Sequence, residues 1–212
     1  MGNSLLNRKF RYSYSNSVAA LIAVNVIVFA VSTYLYPQLK YYLSMIPGYV
    51  LYRKWYWQLL TYMFEHSDIW HLFCNMLGLY VFGTAVERTA GTKEFLLFYF
   101  LTGILTGAAS YAVFLSMGKN VMLLGASGAV YALTLFFSVL YPGARILLFG
   151  IIPVSAPILV LVYFLISLSS SLMGGTGGGI AHITHLSGLV FAFLYIVIRL
   201  RINPFKAWGL RP

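Results

Sequence analysis

Apolar positions in this chain come in long unbroken blocks, without the alternating or one-faced patterns of a water-soluble fold. Six blocks stand out: Val18 to Tyr36, Ile69 to Thr89, Glu94 to Leu115, Leu124 to Tyr141, Ile146 to Leu168 and Ile180 to Leu200. Each approaches the ~20 residues that cross a hydrocarbon core of about 30 Å. Lipid offers no partner to an open backbone amide, and the blocks lack the two-residue period of barrel strands. Each therefore predicts a membrane-spanning helix. The expected fold is an all-α membrane protein: one bundle of six transmembrane helices over residues 18–201, with a basic tail at 1–17 and a second tail at 202–212. No internal repeat is evident. The first block follows basic residues and has no small-residue cleavage site, so it reads as a retained span and not as a signal peptide.

Two connections stand apart. Pro37 to Asp68 is long and carries Tyr41, Tyr42, Tyr49, Tyr52, Trp55, Tyr56 and Trp57. Such rings prefer the headgroup level, so this first outer loop is expected to lie partly submerged in the interface. Ser169 to Gly179 has no charge and ends in the run Gly174 to Gly179, broken only by Thr176. Its glycines predict a mobile connection.

Composition agrees with a lipid solvent: 60% of residues are hydrophobic and only 8% are charged, against about 25% charged in soluble domains. The net charge of +10 raises the question of nucleic acid. The basic residues, however, sit at span ends and form no continuous stripe, so the expected partner is the bilayer and not nucleic acid. Cations also set orientation. Arg8, Lys9, Arg11, Arg88, Lys93, Arg145, Arg199, Arg201, Lys206 and Arg211 share one side; Lys40, Arg53, Lys54 and Lys119 share the other. Ten against four predicts a cell-membrane protein with both termini in the cytoplasm. The single cysteine, Cys74, excludes an internal disulfide and reads as a packing residue.

Topology then brings polar residues together. The second, fourth and sixth spans enter from the outer side, and each carries polar groups soon after its outer end. These are His71 and Asn75, then Ser127 within Gly125-Ala126-Ser127-Gly128, then His182 and His185. At about 1.5 Å per residue, all fall within two or three turns of the surface. Ionisable groups inside spans are costly and mark functional sites by default. Ser127 between glycines also fits close helix packing, as do Gly103 and Gly107 on the third span. A serine opening a helix has its own N–H free as an oxyanion donor, with glycine beside it leaving room for substrate backbone. His71 and Asn75, four apart, face one way and can donate to an oxyanion; the same pair also fits interhelical hydrogen bonding. His182 and His185 form no complete zinc set, and no HExxH occurs, so neither a metal nor another cofactor is expected. The carboxylates are Glu65, Asp68, Glu87 and Glu94. Glu87 and Glu94 fall at the inner end. A Ser-His-Asp arrangement would need Glu65 or Asp68 from the loop, so a Ser-His dyad is the simpler reading.

These motifs resemble the rhomboid family of intramembrane serine proteases over roughly Trp57 to Ala192. Gly125-Ala126-Ser127-Gly128 with Tyr131 is similar to its GxSG nucleophile motif. His185-Leu186-Ser187-Gly188 followed by Ala192 is similar to HxxGxxxG, with Ala192 in place of the last glycine. His66 and His71 to Asn75 resemble its oxyanion helix, and Gly83, Glu87 and Gly91 match its inner-end spacing. Gln58 after Trp57 stands where the family carries arginine. The resemblance implies a six-helix core in which Ser127 is nucleophile and His185 base. It implies that His71, Asn75 and the Ser127 amide hold the oxyanion, that Gly125 and Gly128 shape the site, and that Tyr131 packs on His185. It further implies a Gly-rich cap loop and, as substrates, single-span membrane proteins cut near the outer end of their span. Two other classes stay open on the residues alone: an inactive relative that binds membrane clients, and a small transporter, although no span has a charge at its centre.

Overall fold

Helix α1 (Ser17–Ala30) starts on a carboxylate. In a computed structural model describing residues 13–148, 150–173 and 179–210, Glu87 accepts from the Ser17 and Val18 amides at 2.9 and 3.2 Å. The Ser17 and Thr92 hydroxyls complete its shell at 2.8 and 2.7 Å. A helix start leaves four amides without acceptors, and a carboxylate there meets both the amides and the helix dipole. α1 runs on through a π turn (Val31–Leu35).

The first loop is folded. It forms α2 (Leu39–Leu43), α3 (Pro47–Tyr52) and α4 (Gln58–Thr61), then a 3₁₀ turn (Tyr62–Phe64). Trp55 stacks between Tyr42 and Trp57, with centroids 5.1 and 5.2 Å apart. Gln58 is fully buried and clips the loop together: its amide donates to the carbonyls of Tyr41 and Tyr42 and accepts from the Ile46 N–H, at 2.8, 3.3 and 3.1 Å. A neutral amide thus anchors the loop at the position where arginine was the alternative. Tyr41, Tyr52, Tyr56 and Trp57 keep exposed faces, as suits rings at the headgroup level. Below them, Glu65 is buried and accepts from the Ser32 hydroxyl at 2.8 Å. Burial raises the Glu65 pKa, opposed by the Ser32 hydroxyl, the His66 amide and Lys40.

Next come α5 (Ile69–Gly78), a π turn (Leu79–Gly83) and α6 (Thr84–Ala90), a continuous 22-residue helix. α7 (Thr92–Ser116) has 25 residues. Among the described residues these two, with Ser17–Leu35, are long and apolar enough to cross a membrane. Gly103 and Gly107 on α7 do pack, and their neighbour is the first loop. Added Cβ atoms would lie 2.3 Å from the Met63 sulfur and 2.6 Å from the Tyr62 ring, and the Tyr62 hydroxyl donates to the Gly103 carbonyl at 2.8 Å.

α8 (Ser127–Leu140) has only 14 residues, or about 21 Å of helix, less than the hydrocarbon thickness of about 30 Å. The fifth span begins ten residues later than the apolar block suggests. In its place β1 (Arg145–Leu148) pairs antiparallel with β2 (Ile152–Ser155), and α9 (Ala156–Met173) follows. Hydropathy cannot separate a short apolar strand from a helix, but Pro153 lacks an N–H and biases Ile152 to extended backbone, and Gly150 takes φ +73° in the turn. The expected start of the fifth helix at Ile146 is corrected at this hairpin. α10 (Gly179–Ile198) packs against α7, α8 and α9. Glu94 on α7 accepts from Nε and Nη2 of Arg199 at 2.8 and 3.0 Å and also from the Tyr195 hydroxyl. The chain then turns back: Ile202 is buried, α11 (Pro204–Ala207) follows, and Trp208 donates to the Ser138 carbonyl at 3.2 Å. The tail to residue 12 lies outside the described residues, as do Gly174 to Gly178 of the connection expected to be mobile; of that connection, Ser169 to Met173 belong to α9 and Gly179 opens α10.

Gln58→Ala should strand the buried Ile46 N–H, at about 1–3 kcal/mol. Thermal unfolding in detergent should show a clear drop in midpoint; an unchanged midpoint would remove Gln58 as the loop's anchor.

Candidate active site

The serine is delivered by an extended segment that dips into the bundle. Met45 and Leu123 exchange both backbone hydrogen bonds, each 2.9 Å, and the Gly125 N–H donates to the Tyr62 carbonyl at 2.9 Å. The first loop therefore satisfies the non-helical backbone that would otherwise be unpaired at this depth. Gly125 has φ +110°, a conformation that strains any side chain. A Cβ there would also fall 2.7 Å from Cε1 and Nε2 of His71. Ser127 is the first residue of α8, so its amide has no acceptor within the helix.

The Ser127 hydroxyl lies 2.8 Å from Nε2 of His185 on α10. Tyr131, one turn after Ser127, stacks on the His185 ring at 4.2 Å and 15°, and Tyr163 of α9 stacks behind it at 4.8 Å. His182 stands edge-on to His185 at 5.8 Å; His185 is the histidine that meets the serine. What brings α8 and α10 together is absence of side chain: a Cβ on Gly188 would lie 2.2 Å from the Gly128 carbonyl oxygen. A Cβ on Gly128 would lie 2.6 Å from the Thr106 methyl of α7. Thr184, beside His185, hydrogen-bonds Ser110 of α7 at 2.9 Å.

His71 and Asn75 complete one side of the cluster. Asp68 caps α5 by accepting the His71 N–H at 2.9 Å, and the Asn75 amide donates to the His71 carbonyl, also at 2.9 Å. That bond uses one of its two hydrogens. The Ser67 hydroxyl lies 3.0 Å from Nδ1 of His71, and the His66 ring meets the His71 ring edge-on at 5.1 Å. Ser67 was not among the candidate residues. Its signal was faint: Ser67-Asp68 before an apolar run reads only as a helix start. Cys74, expected to pack, is exposed, because it points away from the face shared by His71 and Asn75.

No carboxylate stands behind His185. Glu65 is turned to Ser32, Asp68 to Ser67 and the His71 amide, Glu87 to the start of α1, and Glu94 to Arg199. Nδ1 of His185 is buried without a hydrogen-bond partner among the described residues. The hydroxyl and imidazole stand as a pair. Among the described residues, no three His, Cys, Asp or Glu side chains gather as metal ligands would.

The family model described as the Rhomboid domain matches residues 53–202, from the first loop to the end of the sixth helix. The chain belongs to the rhomboid family. It is 31% identical over 195 residues to Rhomboid protein 1, mitochondrial, of Saccharomyces cerevisiae, covering 88% of this chain and 54% of that one. It is 35% identical over 149 residues to RHOMBOID-like protein 12, mitochondrial, of Arabidopsis thaliana, covering 63% and 44% respectively. Rhomboid protease GluP of Bacillus subtilis is 44% identical over 75 residues, 35% of this chain and 14% of that protein. The chain spans about half the length of the first two. As a rhomboid it is a multi-pass membrane protein of a family that includes serine proteases, and the six-helix bundle with a folded first loop accords with that membership.

In this rhomboid the α8–α10 contact is backbone against backbone, so Gly188→Ala has no flexible side chain to displace. The helices should part and the Ser127–His185 contact lengthen. An ångström of misplacement can cost about 100-fold in rate. Reactivity of Ser127 toward a phosphonate probe should fall by that order, and an unchanged labelling rate would show that the pair tolerates a wider seam.

Proposed function

We propose that this rhomboid is an intramembrane serine endopeptidase that cuts single-span membrane proteins near the outer end of their transmembrane segment. One observation carries the reading: the 2.8 Å contact between Ser127 Oγ and His185 Nε2, made at the start of α8. The relative named as a protease supports it.

In the proposed reaction His185 takes the Ser127 proton as the oxygen attacks a peptide carbonyl. The oxyanion is met by the Ser127 amide, the second Asn75 amide hydrogen and the His71 ring. His185 returns the proton to the leaving amine, and an acyl-enzyme remains. Water, deprotonated by the same histidine, then releases the acid. Tyr131 holds the imidazole plane by stacking, Gly125 gives His71 its place, and Gly128 admits Thr106 of α7. With little water present, each fixed dipole acts more strongly than at a surface. Metal and other cofactors have no part in this scheme.

The catalytic domain is proposed to span 18–201, with tails at 1–17 and 202–212. The ten-to-four cation asymmetry puts both termini on one side, and the active site opens on the other. In a cell membrane these are the cytoplasmic and outer faces.

Ser127→Ala should abolish cleavage of a single-span reporter in liposomes, together with covalent labelling by a serine-directed phosphonate. Full activity in that variant would remove the serine from its role. His185→Ala should be about as damaging, because members of one unit fail together, while His182→Ala should be milder; the opposite ranking would reassign the base. Asn75→Ala should slow turnover by about 10–100-fold, since two other donors remain.

A further inference from the structure

Lys40, Arg53, Lys54 and Lys119 are the minority cations, at the end of the bundle where α7 stops, and two of them share one cavity. The end of α3 and the turn after α7 enclose a space of about 430 Å³, lined by Leu51 and Arg53 from the first loop and by Leu115 and Lys119 from the α7 side. Arg53 is placed by aromatic rings: its guanidinium carbon lies 4.5 Å from the Tyr49 centroid and 5.3 Å from that of Trp55. Such contacts hold a cation without a carboxylate. Lys119 is half-buried, in a turn where Gly118 takes φ +63°. α3 ties that turn down, the Gly48 N–H donating to the Asn120 side-chain oxygen at 2.8 Å. Neither cation has an ion pair among the described residues, and the four carboxylates are committed elsewhere.

We propose that this cavity binds the phosphate of an anionic phospholipid, with Arg53 and Lys119 pairing with its oxygens and Leu51 and Leu115 covering the start of the acyl chains. A guanidinium offers a planar pair of donors that matches phosphate oxygens, and an ammonium adds a point charge. Two cations lining one cavity repel each other and gain from a shared anion. The apolar part of the lining favours a lipid over a soluble anion. Leu51, Tyr52 and Leu115 keep exposed surface beside the cations, which free phosphate leaves uncovered and a lipid tail covers. The level fits as well, since α7 ends at Ser116 and the rings of the first loop suit headgroup depth. The cavity walls continue into the bridge that delivers the serine. Pro47 comes two residues after Met45 and Asn120 three before Leu123, and Met45 and Leu123 exchange both backbone hydrogen bonds. A headgroup that joins the walls braces that bridge, and a ligand bound only by the folded chain stabilises it. The inference does not rest on the protease reading.

Thermal unfolding of the full chain in a neutral detergent tests the proposal. Added short-chain phosphatidylglycerol should raise the midpoint, and phosphatidylcholine of the same chain length should not; equal rises with the two lipids would overturn it. Inorganic phosphate and glycerol phosphate at the same concentration should leave the midpoint where it was. A rise with either would make this a soluble-anion site and sink the lipid assignment. Lys119→Ala should weaken the apparent affinity for phosphatidylglycerol about 5-fold, and Arg53→Ala at least as much, because the planar fork goes with the charge. Arg53→Ala also removes the contacts with Tyr49 and Trp55, so Arg53→Lys serves if that variant does not fold. It keeps the charge without the fork, and its affinity should fall between those of the parent and Lys119→Ala. Lys40→Ala removes an equal charge from the same end of the bundle but outside the cavity, and should bind as the parent does. The midpoint rise should shrink as salt is added. Parent affinity in Lys119→Ala, or an equal loss in Lys40→Ala, would show diffuse attraction in place of a site and overturn the proposal.

Discussion

The structure depends on one close approach of backbones. Gly188 of α10 rests on the carbonyl of Gly128 in α8, with no room for a methyl group between them. Lipid tails are as apolar as leucine side chains, so helices in a bilayer gain little from burying hydrophobic surface and associate through fit and hydrogen bonds. Small residues at a seam permit that fit. Here the seam runs beside Ser127 and His185, each within three residues of one of the glycines. A contact that looks like packing therefore also sets the distance between hydroxyl and imidazole. Tyr131 and Thr184 fix the remaining freedom, one by stacking on the ring, the other by bonding to Ser110.

The scarcity of charge has a similar logic. All four carboxylates are engaged, each at the end or edge of a span. Glu87 satisfies the amides that open α1, Glu94 holds α7 to Arg199, Glu65 joins the first loop to α1, and Asp68 caps α5. A fifth carboxylate behind His185 would carry its desolvation penalty into the bundle. A buried Nδ1 on His185 without a partner among the described residues is the cheaper arrangement, and the proposed chemistry relies on fixed dipoles around the oxyanion instead. Asp68 is the exception in having a line to the site, through Ser67, while itself staying in water.

The first loop has a structural duty that its position outside the spans conceals. Met45 and Tyr62 supply the backbone partners for Leu123 and Gly125, so the loop holds the extended entry to α8 in place. Gln58 in turn holds the loop. Distortion of this interfacial element would be felt at the serine through hydrogen bonds alone.

By itself the sequence determined the solvent and the class of fold. Blocks of ~20 apolar residues leave helices across lipid as the physical solution, and polar residues at the same end of three spans were legible before any coordinates. So were Ser127, His185, His71 and Asn75 as candidates, because ionisable groups in a span stand out against such a background. The hairpin at Arg145–Ser155 was not legible, since hydropathy alone does not separate a short apolar strand from a helix. Nor was the exposure of Cys74. Only the tertiary structure decided which histidine meets the serine, that no carboxylate backs it, and that Ser67 lies between Asp68 and His71. Those are questions of distance between residues far apart in sequence, or of side-chain direction at a helix start, and spacing along a chain carries neither.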